Sequence, residues 1–285
     1  RPTCINTYYN HILIDLHVMS SMTTSASSAL AVDNITFRYP GSAPVFRNFS
    51  FHAQQGEFVV LLGPSGCGKS TLLNLLAGFT EPEEGAVKIN GQRTTPENNQ
   101  LGYVFQQPQL FGWLSALENV QFGLRMQKRE DVASQRERAL SYLQRVGLAH
   151  AAHQFPHQMS GGMQQRVSLA RALALEPDVL LMDEPFAALD AITRGDMNEE
   201  TLRLWSAIGQ TTVFITHDIE EAVFLADRVI VLNRAPGGVH SELTVSLPRP
   251  RSNLETRQLP AFAAYRNELL KRITDVMQQS HTHSL

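Results

Sequence analysis

Nine consecutive residues of this sequence have the types and spacing of a loop that binds phosphate. A glycine is followed, after four residues, by Gly-Lys-Ser, and the full segment is Gly63, Pro64, Ser65, Gly66, Cys67, Gly68, Lys69, Ser70 and Thr71. Glycines let the backbone turn tightly, so that successive N–H groups and the start of the following helix face an anion. Lys69 adds a positive charge near the terminal phosphates of a nucleotide, and the Ser70 hydroxyl is a ligand for Mg²⁺. The segment therefore predicts a nucleotide-phosphate site.

Two carboxylates follow an apolar run that is typical of a buried strand. Asp183 and Glu184 end the segment at residues 178–184. Parallel pairing of this strand with the one before the phosphate loop would place the carboxylates beside that loop. There we expect Asp183 to hold the hydration shell of Mg²⁺ and Glu184 to accept the proton of an attacking water. An isolated Asp-Glu pair is weak evidence, but together with the loop it indicates a hydrolytic site.

Three further side chains stand at the ends of expected strands. Gln106 follows residues 101–105, where an amide can ligate Mg²⁺ or orient water, although a surface amide is commoner. His217 follows residues 211–216 and suits a hydrogen bond to the γ-phosphate, whereas a lone histidine is usually structural. Tyr39 lies beside a turn, where its ring can stack on a base, although a lone aromatic is more often part of the core.

Two helix starts carry capping residues. Ser160 is a candidate N-cap, and Gly161 and Gly162 after it either form a second anion site or cap the helix without any ligand. Asp218 and Glu221 have the spacing of a capping box, in which the two side chains bond each other's backbone N–H groups.

Cys67 is the cysteine of the phosphate loop. A helix N-terminus lowers the pKa of a thiol, so we expect Cys67 to react with thiol reagents when the site is empty. A buried, inert thiol is the alternative.

The elements that must position these residues alternate between strand and helix. Residues 58–62, before the loop, are typical of a buried parallel strand, and residues 71–77 after it of a helix. Residues 30–53 predict antiparallel strands ahead of the loop, with a further strand at residues 85–91. Residues 227–232 are expected to close the main sheet. The pattern is that of an α/β protein with an antiparallel sheet ahead of it.

Residues 108–175 have no β-branched runs and mostly helical periodicity. They predict a helical lobe inserted into the α/β core. One helix is expected to keep a single buried face of Val132, Arg136, Ala139, Leu140, Leu143 and Val146.

The two ends of the chain differ from the middle. Residues 1–29, which include a Ser/Thr-rich run, are interpreted as a disordered or non-native extension, with Met19 or Met22 as the natural start; a short ordered arm is the alternative. Residues 246–285 form a C-terminal tail with an amphipathic helix. We expect this tail to pack on the core, and an interaction arm is the second interpretation.

Composition narrows the class of protein. The 285 residues are 43% hydrophobic, enough for a full core, and the formal net charge of −3 gives no reason to expect nucleic acid as a partner. The two cysteines, Cys4 and Cys67, lie far apart, which favours a reducing compartment over a disulfide scaffold. No uninterrupted apolar run approaches the ~18 residues of a spanning helix, so we expect no membrane crossing by the chain itself.

Taken together, residues 30–245 resemble the ATP-binding subunits of ATP-binding-cassette (ABC) transporters. The resemblance implies a P-loop NTPase (RecA-like) α/β core with an N-terminal antiparallel β subdomain and an inserted helical subdomain, and ATP and Mg²⁺ as cofactors. It implies an adenine-stacking role for Tyr39, Mg²⁺ ligation by Ser70, Gln106 and Asp183, and catalysis by Lys69, Gln106, Glu184 and His217. The family signature is matched by Ser160, Gly161, Gly162 and Gln164, preceded by Met159 in place of the usual leucine, and the aspartate of the inter-subunit loop by Asp190.

Shorter segments are similar to bacterial importers of taurine, alkanesulfonates, nitrate or hydroxymethylpyrimidine-type compounds. These segments are residues 113–120, 189–194 and 247–251. The resemblance implies an ATPase that works as a homodimer under separate integral membrane permease subunits, and indirectly with a solute-binding protein. It implies a peripheral location on the cytoplasmic face of the inner membrane.

Other members of the same superfamily remain as alternatives. The chain can serve an importer of another solute, or an exporter, although it lacks the fused spanning segments of an exporter. A chromosome or repair ATPase would need a long heptad insertion, and the lobe has no sustained heptads. A translation-type protein normally carries two cassettes, whereas one phosphate loop is present in this sequence.

Overall fold

The computed structural model of the protein describes residues 28–95, 100–128 and 130–282. These residues form two β-sheets and a set of helices. The strands are β1 (Ser28–Arg38), β2 (Pro44–Gln54), β3 (Phe58–Leu62), β4 (Glu84–Ile89), β5 (Gln92–Arg93), β6 (Leu101–Val104), β7 (Val179–Asp183), β8 (Thr211–Thr216), β9 (Arg228–Leu232) and β10 (Val239–Thr244). The α-helices are α1 (Lys69–Leu76), α2 (Ala116–Gln127), α3 (Val132–Arg145), α4 (Gly161–Leu173), α5 (Ala191–Ile208), α6 (Ile219–Leu225) and α7 (Pro260–Thr282).

The larger sheet positions the phosphate loop. Its strand order is β10-β9-β3-β8-β7-β6, and all neighbours are parallel except β10, which runs antiparallel to β9. Every residue of β3 and β8 is buried, as expected for strands covered on both faces. Leu62 of β3 lies opposite Thr216 of β8, and Ile215 of β8 lies opposite Asp183 of β7. The residues that follow these three strands therefore emerge at one edge of the sheet.

The smaller sheet confirms the predicted antiparallel subdomain. Its order is β2-β1-β4-β5, with antiparallel pairing throughout. Its inner face shares one hydrophobic cluster with α1 and with one face of the larger sheet. Phe46 and Phe49 are fully or almost fully buried in that cluster and their rings lie 5.1 Å apart. This sheet therefore covers the phosphate-loop helix from the side.

The helical lobe consists of α2, α3 and α4. Asn119 of α2 is completely buried and organises the segment before the helix. Its Oδ1 accepts from the Phe111 N–H at 2.8 Å, and its Nδ2 donates to the Leu114 carbonyl at 3.0 Å. Burying an amide is unfavourable unless its hydrogen bonds are formed. The hydrogen bonds of Asn119 therefore fix the path of this loop.

One predicted helix face in the lobe is only partly correct. Ala139, Leu143 and Val146 are buried, but Val132 is 70% exposed, and Arg136 and Leu140 are exposed as well. The buried face of α3, which packs against α2 and α4, is therefore narrower than its hydrophobic residues suggest.

The C-terminal tail packs on the core, as expected. Phe262, Leu269 and Val276 of α7 are buried in the main hydrophobic cluster. The Arg251 guanidinium, only 4% exposed, donates to the carbonyls of Phe224 and Ala226 at the end of α6, at 2.8 and 2.9 Å. These bonds satisfy carbonyls that a helix end leaves without intrahelical partners.

Two element boundaries differ from the sequence interpretation. β1 begins at Ser28, so its first two residues belong to the predicted extension at residues 1–29; residues 1–27, including Met19 and Met22, lie outside the described residues. The strand at residues 228–232 does not close the sheet, because β10 pairs with it. β10 has alternating partial burial and no continuous apolar run, which is why the sequence pattern did not reveal it.

No helix in residues 28–95, 100–128 and 130–282 combines the length and the apolar character that crossing a membrane requires.

The junction of β1 and β4 depends on a glycine that has no room for a side chain. Gly85 has φ +82°, and a Cβ there would lie 2.3 Å from the Asp33 carbonyl oxygen and 2.5 Å from that of Asn34. The pairing register of β1 with β4 shifts between Asp33 and Thr36. The irregular backbone of β1 therefore fits against β4 only because residue 85 has no Cβ.

We expect Gly85→Ala to lower the free energy of unfolding clearly more than Gly91→Ala. Gly91 also has a positive φ, +79°, but nothing lies within 4 Å of a Cβ placed there. The Gly91 variant loses only the left-handed preference, about 1–2 kcal/mol. The Gly85 variant also has to displace backbone, which adds about 1–3 kcal/mol. Urea unfolding followed by circular dichroism measures both, and equal losses would show that the contact at Gly85 is relaxed without cost.

Candidate active site

The phosphate loop links β3 to α1 and turns through two glycines in left-handed conformations. Gly66 has φ +78° and Gly68 has φ +95°. A Cβ on Gly68 would lie 2.7 Å from Val45 Cγ1 and 2.8 Å from the Phe46 ring, so the loop lies directly on β2. Gly68 is the N-cap of α1 and no side chain caps the helix. The first N–H groups of α1 are thus left to a ligand or to water.

Lys69 folds back over the loop. Its Nζ donates to the carbonyl oxygens of Gly63 at 2.9 Å and Pro64 at 3.2 Å, and the side chain is 9% exposed. The Glu184 Oε1 atom lies 3.7 Å from Nζ. The ammonium group is therefore held over the loop by two carbonyl dipoles and one carboxylate.

An open cleft of about 430 Å³ lies in front of the loop. Most of its lining comes from the phosphate loop and the start of α1, namely Ser65, Gly66, Gly68, Lys69, Ser70 and Thr71. Val45, Glu184 and Ala235, which are distant in sequence, complete the lining. The cleft therefore combines backbone N–H groups, one cation, three hydroxyls and one carboxylate, a set suited to an anion that is attacked by water.

Asp183 and Glu184 lie next to each other where β7 ends. Burial raises the pKa of Asp183, the charge of Glu184 raises it further, and the charge of Lys69 opposes both effects. Glu184 has φ +39°, a conformation that non-glycine residues rarely adopt, and its N–H donates to the Ile215 carbonyl at 3.0 Å. Backbone conformations of this kind are concentrated at functional sites, and Glu184 is one of the residues that line the cleft.

His217 contacts Glu184 directly. Its Nδ1 lies 2.9 Å from Glu184 Oε2, and its ring is largely exposed. Because Glu184 Oε1 faces Lys69, this carboxylate is held between a cation on one side and an imidazole on the other. The sequence placed these three residues at one sheet edge, and the structure brings their side chains into contact.

Tyr39 and Gln106 lie at the periphery of this group. The Tyr39 ring is 46% exposed beside the first turn of α1, with its hydroxyl 3.1 Å from Thr71 Oγ1. Gln106 is exposed two residues beyond β6, and β6 pairs in parallel with β7. Neither residue lines the cleft.

The second glycine-rich helix start lies elsewhere. Ser160 is the N-cap of α4, as expected, and its Oγ accepts from the Met163 N–H at 3.3 Å. Gln164 Nε2 donates to the Pro156 carbonyl at 2.9 Å, so this amide is used within the lobe. A Cβ on Gly161 would be 3.8 Å from Leu189, and one on Gly162 would be 3.1 Å from Thr193.

Asp190 has a structural contact of its own. Its Oδ1 accepts from the N–H groups of Ile192 at 3.1 Å and Thr193 at 3.0 Å, which caps α5. The residues of the second anion feature and of this loop do not line the phosphate cleft in the described part of the chain; they are Ser160, Gly161, Gly162, Gln164 and Asp190. In one copy of the chain, the glycine-rich helix start at Ser160 and the phosphate loop are therefore separate features.

The expectation of a reactive Cys67 is wrong. The side chain is completely buried in the cluster between the two sheets, and burial raises the pKa of the thiol more than Lys69 and the loop N–H groups lower it. A Cβ on Gly63 would lie 2.8 Å from Cys67 Sγ. Cys67 does not line the cleft, and its thiol is a packing group.

The predicted capping box at α6 is also only half correct. Asp218 Oδ1 accepts from the N–H groups of Glu220 at 2.9 Å and Glu221 at 3.1 Å. The Glu221 side chain does not return to Asp218; it turns inward and accepts from the Thr216 hydroxyl at 2.5 Å. The buried environment of Glu221 decides which way its side chain points, and the spacing of Asp218 and Glu221 in the sequence does not predict that direction.

Sequence reasoning missed two residues of the cleft, Val45 and Ala235. Phe46 forms a bridge with Gly237, and the Gly237 N–H donates to the Val45 carbonyl at 2.5 Å. This contact joins segments that lie almost two hundred residues apart. No local pattern could have identified them, since both are small apolar residues in ordinary loop and strand contexts.

Comparison with known proteins identifies the family. The ABC transporter family model matches residues 46–187. The taurine import ATP-binding protein TauB of Jannaschia sp. is 42% identical over 259 residues, 88% of this chain and 96% of that protein. The nitrate import ATP-binding protein NrtD of Synechocystis sp. is 44% identical over 237 residues, 80% of this chain and 88% of that protein.

A solved structure agrees with this relationship. The ATP-binding cassette MJ0796, a dimer in a post-hydrolysis state bound to ADP and Pi, superposes with a TM-score of 0.66 at 35% identity, covering 76% of this chain and 98% of that one. The chain therefore belongs to the ABC transporter family, as one of its ATP-binding subunits.

Proposed function

We propose that this chain hydrolyses ATP to drive solute import through separate membrane permease subunits. The observation that carries the proposal is the Glu184 carboxylate, held between Lys69 and His217 at the phosphate cleft. The imported solute is a small anion or zwitterion of the kind named for the relatives, a sulfonate such as taurine, or nitrate.

Each residue of the site has its own role in ATP binding and hydrolysis. The loop N–H groups and Lys69 bind the phosphates of ATP, and Tyr39 stacks on its base. Glu184 accepts the proton of a water molecule as the water oxygen attacks the γ-phosphorus and ADP departs. His217 orients Glu184 through the bond between Nδ1 and Oε2, and in the complex it contacts the γ-phosphate.

The donor set at this edge fits Mg²⁺. It consists of the Ser70 hydroxyl, the Asp183 carboxylate and the Gln106 amide oxygen, all of them hard oxygen ligands. The described residues contain no group of three or more His, Cys, Asp or Glu side chains suited to a metal. Mg²⁺ commonly takes one or two carboxylates and completes its shell with water and substrate phosphates, so a sparse set is appropriate. Bound with ATP, Mg²⁺ neutralises charge on the β- and γ-phosphates.

A second copy of the chain completes the site. Ser160, Gly161 and Gly162 form an anion-binding helix start that does not reach the phosphate cleft of their own chain. In a two-fold dimer, this helix start of one copy, with Gln164 and Asp190 near it, covers the cleft of the other. ATP then forms part of the interface, and loss of the γ-phosphate opens it.

The permease contact lies on the helical lobe beside Gln106. Trp113 there is 75% exposed, with its ring centroid 5.3 Å from that of Phe111, and Phe122 and Met126 of α2 are exposed too. A group of exposed apolar side chains of this kind is typical of a surface that binds another protein. We place the chain at the cytoplasmic face of the inner membrane, bound to permease subunits that receive solute from a binding protein.

Glu184→Gln should bind ATP but hydrolyse it at least ~100-fold more slowly, because an amide cannot accept the proton. Lys69→Ala should instead weaken nucleotide binding itself, because it removes the cation of the loop. Steady-state phosphate release and binding of a fluorescent ATP analogue separate the two effects. Glu137→Gln, an exposed carboxylate of the lobe, is the matched control and should turn over at the wild-type rate. Near-normal turnover of Glu184→Gln would exclude it as the base.

The dimer predicts a nucleotide-dependent change of mass. Glu184→Gln protein should be monomeric alone and dimeric with ATP, because slow hydrolysis preserves the bridging γ-phosphate. Adding Ser160→Arg should restore the monomer, because a long side chain then blocks the helix start. Size-exclusion chromatography with light scattering measures both.

Ser141→Arg, on the exposed side of α3, is the control for added charge and should leave the dimer intact. A Glu184→Gln, Ser160→Arg double variant that still dimerises with ATP would contradict the proposed arrangement of the two copies.

A further inference from the structure

A buried hydrogen-bond relay surrounds His217. Glu221, in the first turn of α6, is only 5% exposed, and its Oε2 accepts from the Thr216 hydroxyl at 2.5 Å. The Thr216 Oγ1 atom in turn accepts from the Asp218 N–H at 3.0 Å. Thr216 and Asp218 are the residues on either side of His217. The relay therefore holds the backbone at His217 from both directions.

Glu221 is among the residues that line a cavity of about 300 Å³ between α5, α6 and the tail. Glu221 Oε1 and Asn198 Oδ1 both belong to residues that line this cavity, and neither atom has a hydrogen-bond partner among the described residues. Asn198 is 1% exposed. Two buried acceptors without a donor are costly, and a proton on Oε1 would turn this carboxyl into the missing donor.

The charges around Glu221 leave it without a dedicated cation. The pKa of Glu221 is raised to about 7 as the net result of burial and the charge of Asp218, which raise it, and of Thr216, Asn198 and Arg194, which lower it. Arg194 of α5 pairs with Asp218 at 3.3 Å, and Arg257 of the tail pairs with Glu220 at 2.7 Å. The polar or charged residues that line the cavity are Arg194, Asp196, Asn198, Asp218, Glu220, Asn253 and Arg257. Below about pH 7 the carboxyl is therefore mostly neutral.

We propose that Glu221 is a positioning residue of the hydrolytic site, which holds His217 against Glu184 through Thr216 while its own carboxyl stays protonated toward Asn198. This inference rests on the proposed ATP hydrolysis. Glu221 contacts neither the cleft nor His217 itself, so its effect on the reaction passes through the backbone that carries the imidazole.

The kinetic test uses variants that keep or break the relay. Glu221→Gln keeps an acceptor for Thr216 and a donor for Asn198, and should hold kcat within twofold of wild type. Thr216→Val preserves shape but removes the hydroxyl, and Glu221→Ala removes the carboxyl. Both should lower kcat on the order of 10-fold, with KM for ATP changed less than twofold, because misplacement of a catalytic group acts on the transition state. If Glu221→Ala does not fold, Thr216→Val carries the test.

Leu202→Ala, in the buried face of α5, is the control for general loss of stability and should leave kcat unchanged. Hydrogen exchange of the Asp218 amide should accelerate in Thr216→Val and Glu221→Ala and stay at the wild-type rate in Glu221→Gln. An equal fall of kcat in Leu202→Ala and Thr216→Val, or wild-type kcat and exchange in Thr216→Val, would overturn the positioning role.

The protonation is tested without ATP. A carboxyl whose pKa is raised from 4.5 to about 7 contributes stability that is present below pH 4.5 and is lost as pH rises through 7. Urea unfolding should therefore show the folding constant of wild type falling relative to that of Glu221→Gln between pH 5 and pH 8, by about two orders of magnitude. A constant ratio across this range would show that Glu221 is ionised throughout. Wild type that shows the pH effect but hydrolyses no ATP would refute the proposed function alone.

Discussion

The parallel pairing of β3, β8 and β7 is the constraint on which the rest of the structure depends. Each strand delivers one part of the site just beyond its carboxyl end: the phosphate loop, His217 and Glu184. A strand of five residues, such as β3, spans about 16 Å, so reversing any one of them would carry its residue to the far edge of the sheet. Continuous burial of these strands holds their register, and the register places charged groups within hydrogen-bond distance.

The electrostatics of the cleft follow from that placement. Lys69 is the cation of a loop that otherwise binds through N–H dipoles, and Glu184 is the anion nearest to it. Asp183 next to Glu184 concentrates negative charge that burial makes unfavourable, as the raised pKa of Asp183 indicates. Such a site favours a ligand that brings both phosphate for the loop and a cation for the carboxylates. The helix start at Ser160 lies outside this cleft.

The C-terminal tail, α5 and α6 pack together on the other side of the site. Arg251 closes the end of α6, while the Arg249 guanidinium bonds Asp227 at 2.6 Å and lies 4.2 Å from the centroid of the Trp205 ring on α5. Glu221 bonds Thr216 at the opposite end of α6. Buried polar groups therefore hold both ends of α6, the short helix that follows His217. Helix propensity alone would not stabilise a helix of seven residues.

The sequence by itself determined the order of the chemical groups, the antiparallel sheet ahead of the loop, the helical lobe and the buried stripe of α7. Each of these features is predicted by local hydrophobic periodicity or by a contiguous sequence motif. Tertiary structure alone decided that Val45 and Ala235 line the cleft, that β10 extends the sheet, that Cys67 is a packing group and that Glu221 turns inward. These outcomes depend on burial and on contacts between distant segments. Desolvation, which decides whether a thiol or a carboxyl stays neutral, is a property of the folded environment and not of residue spacing.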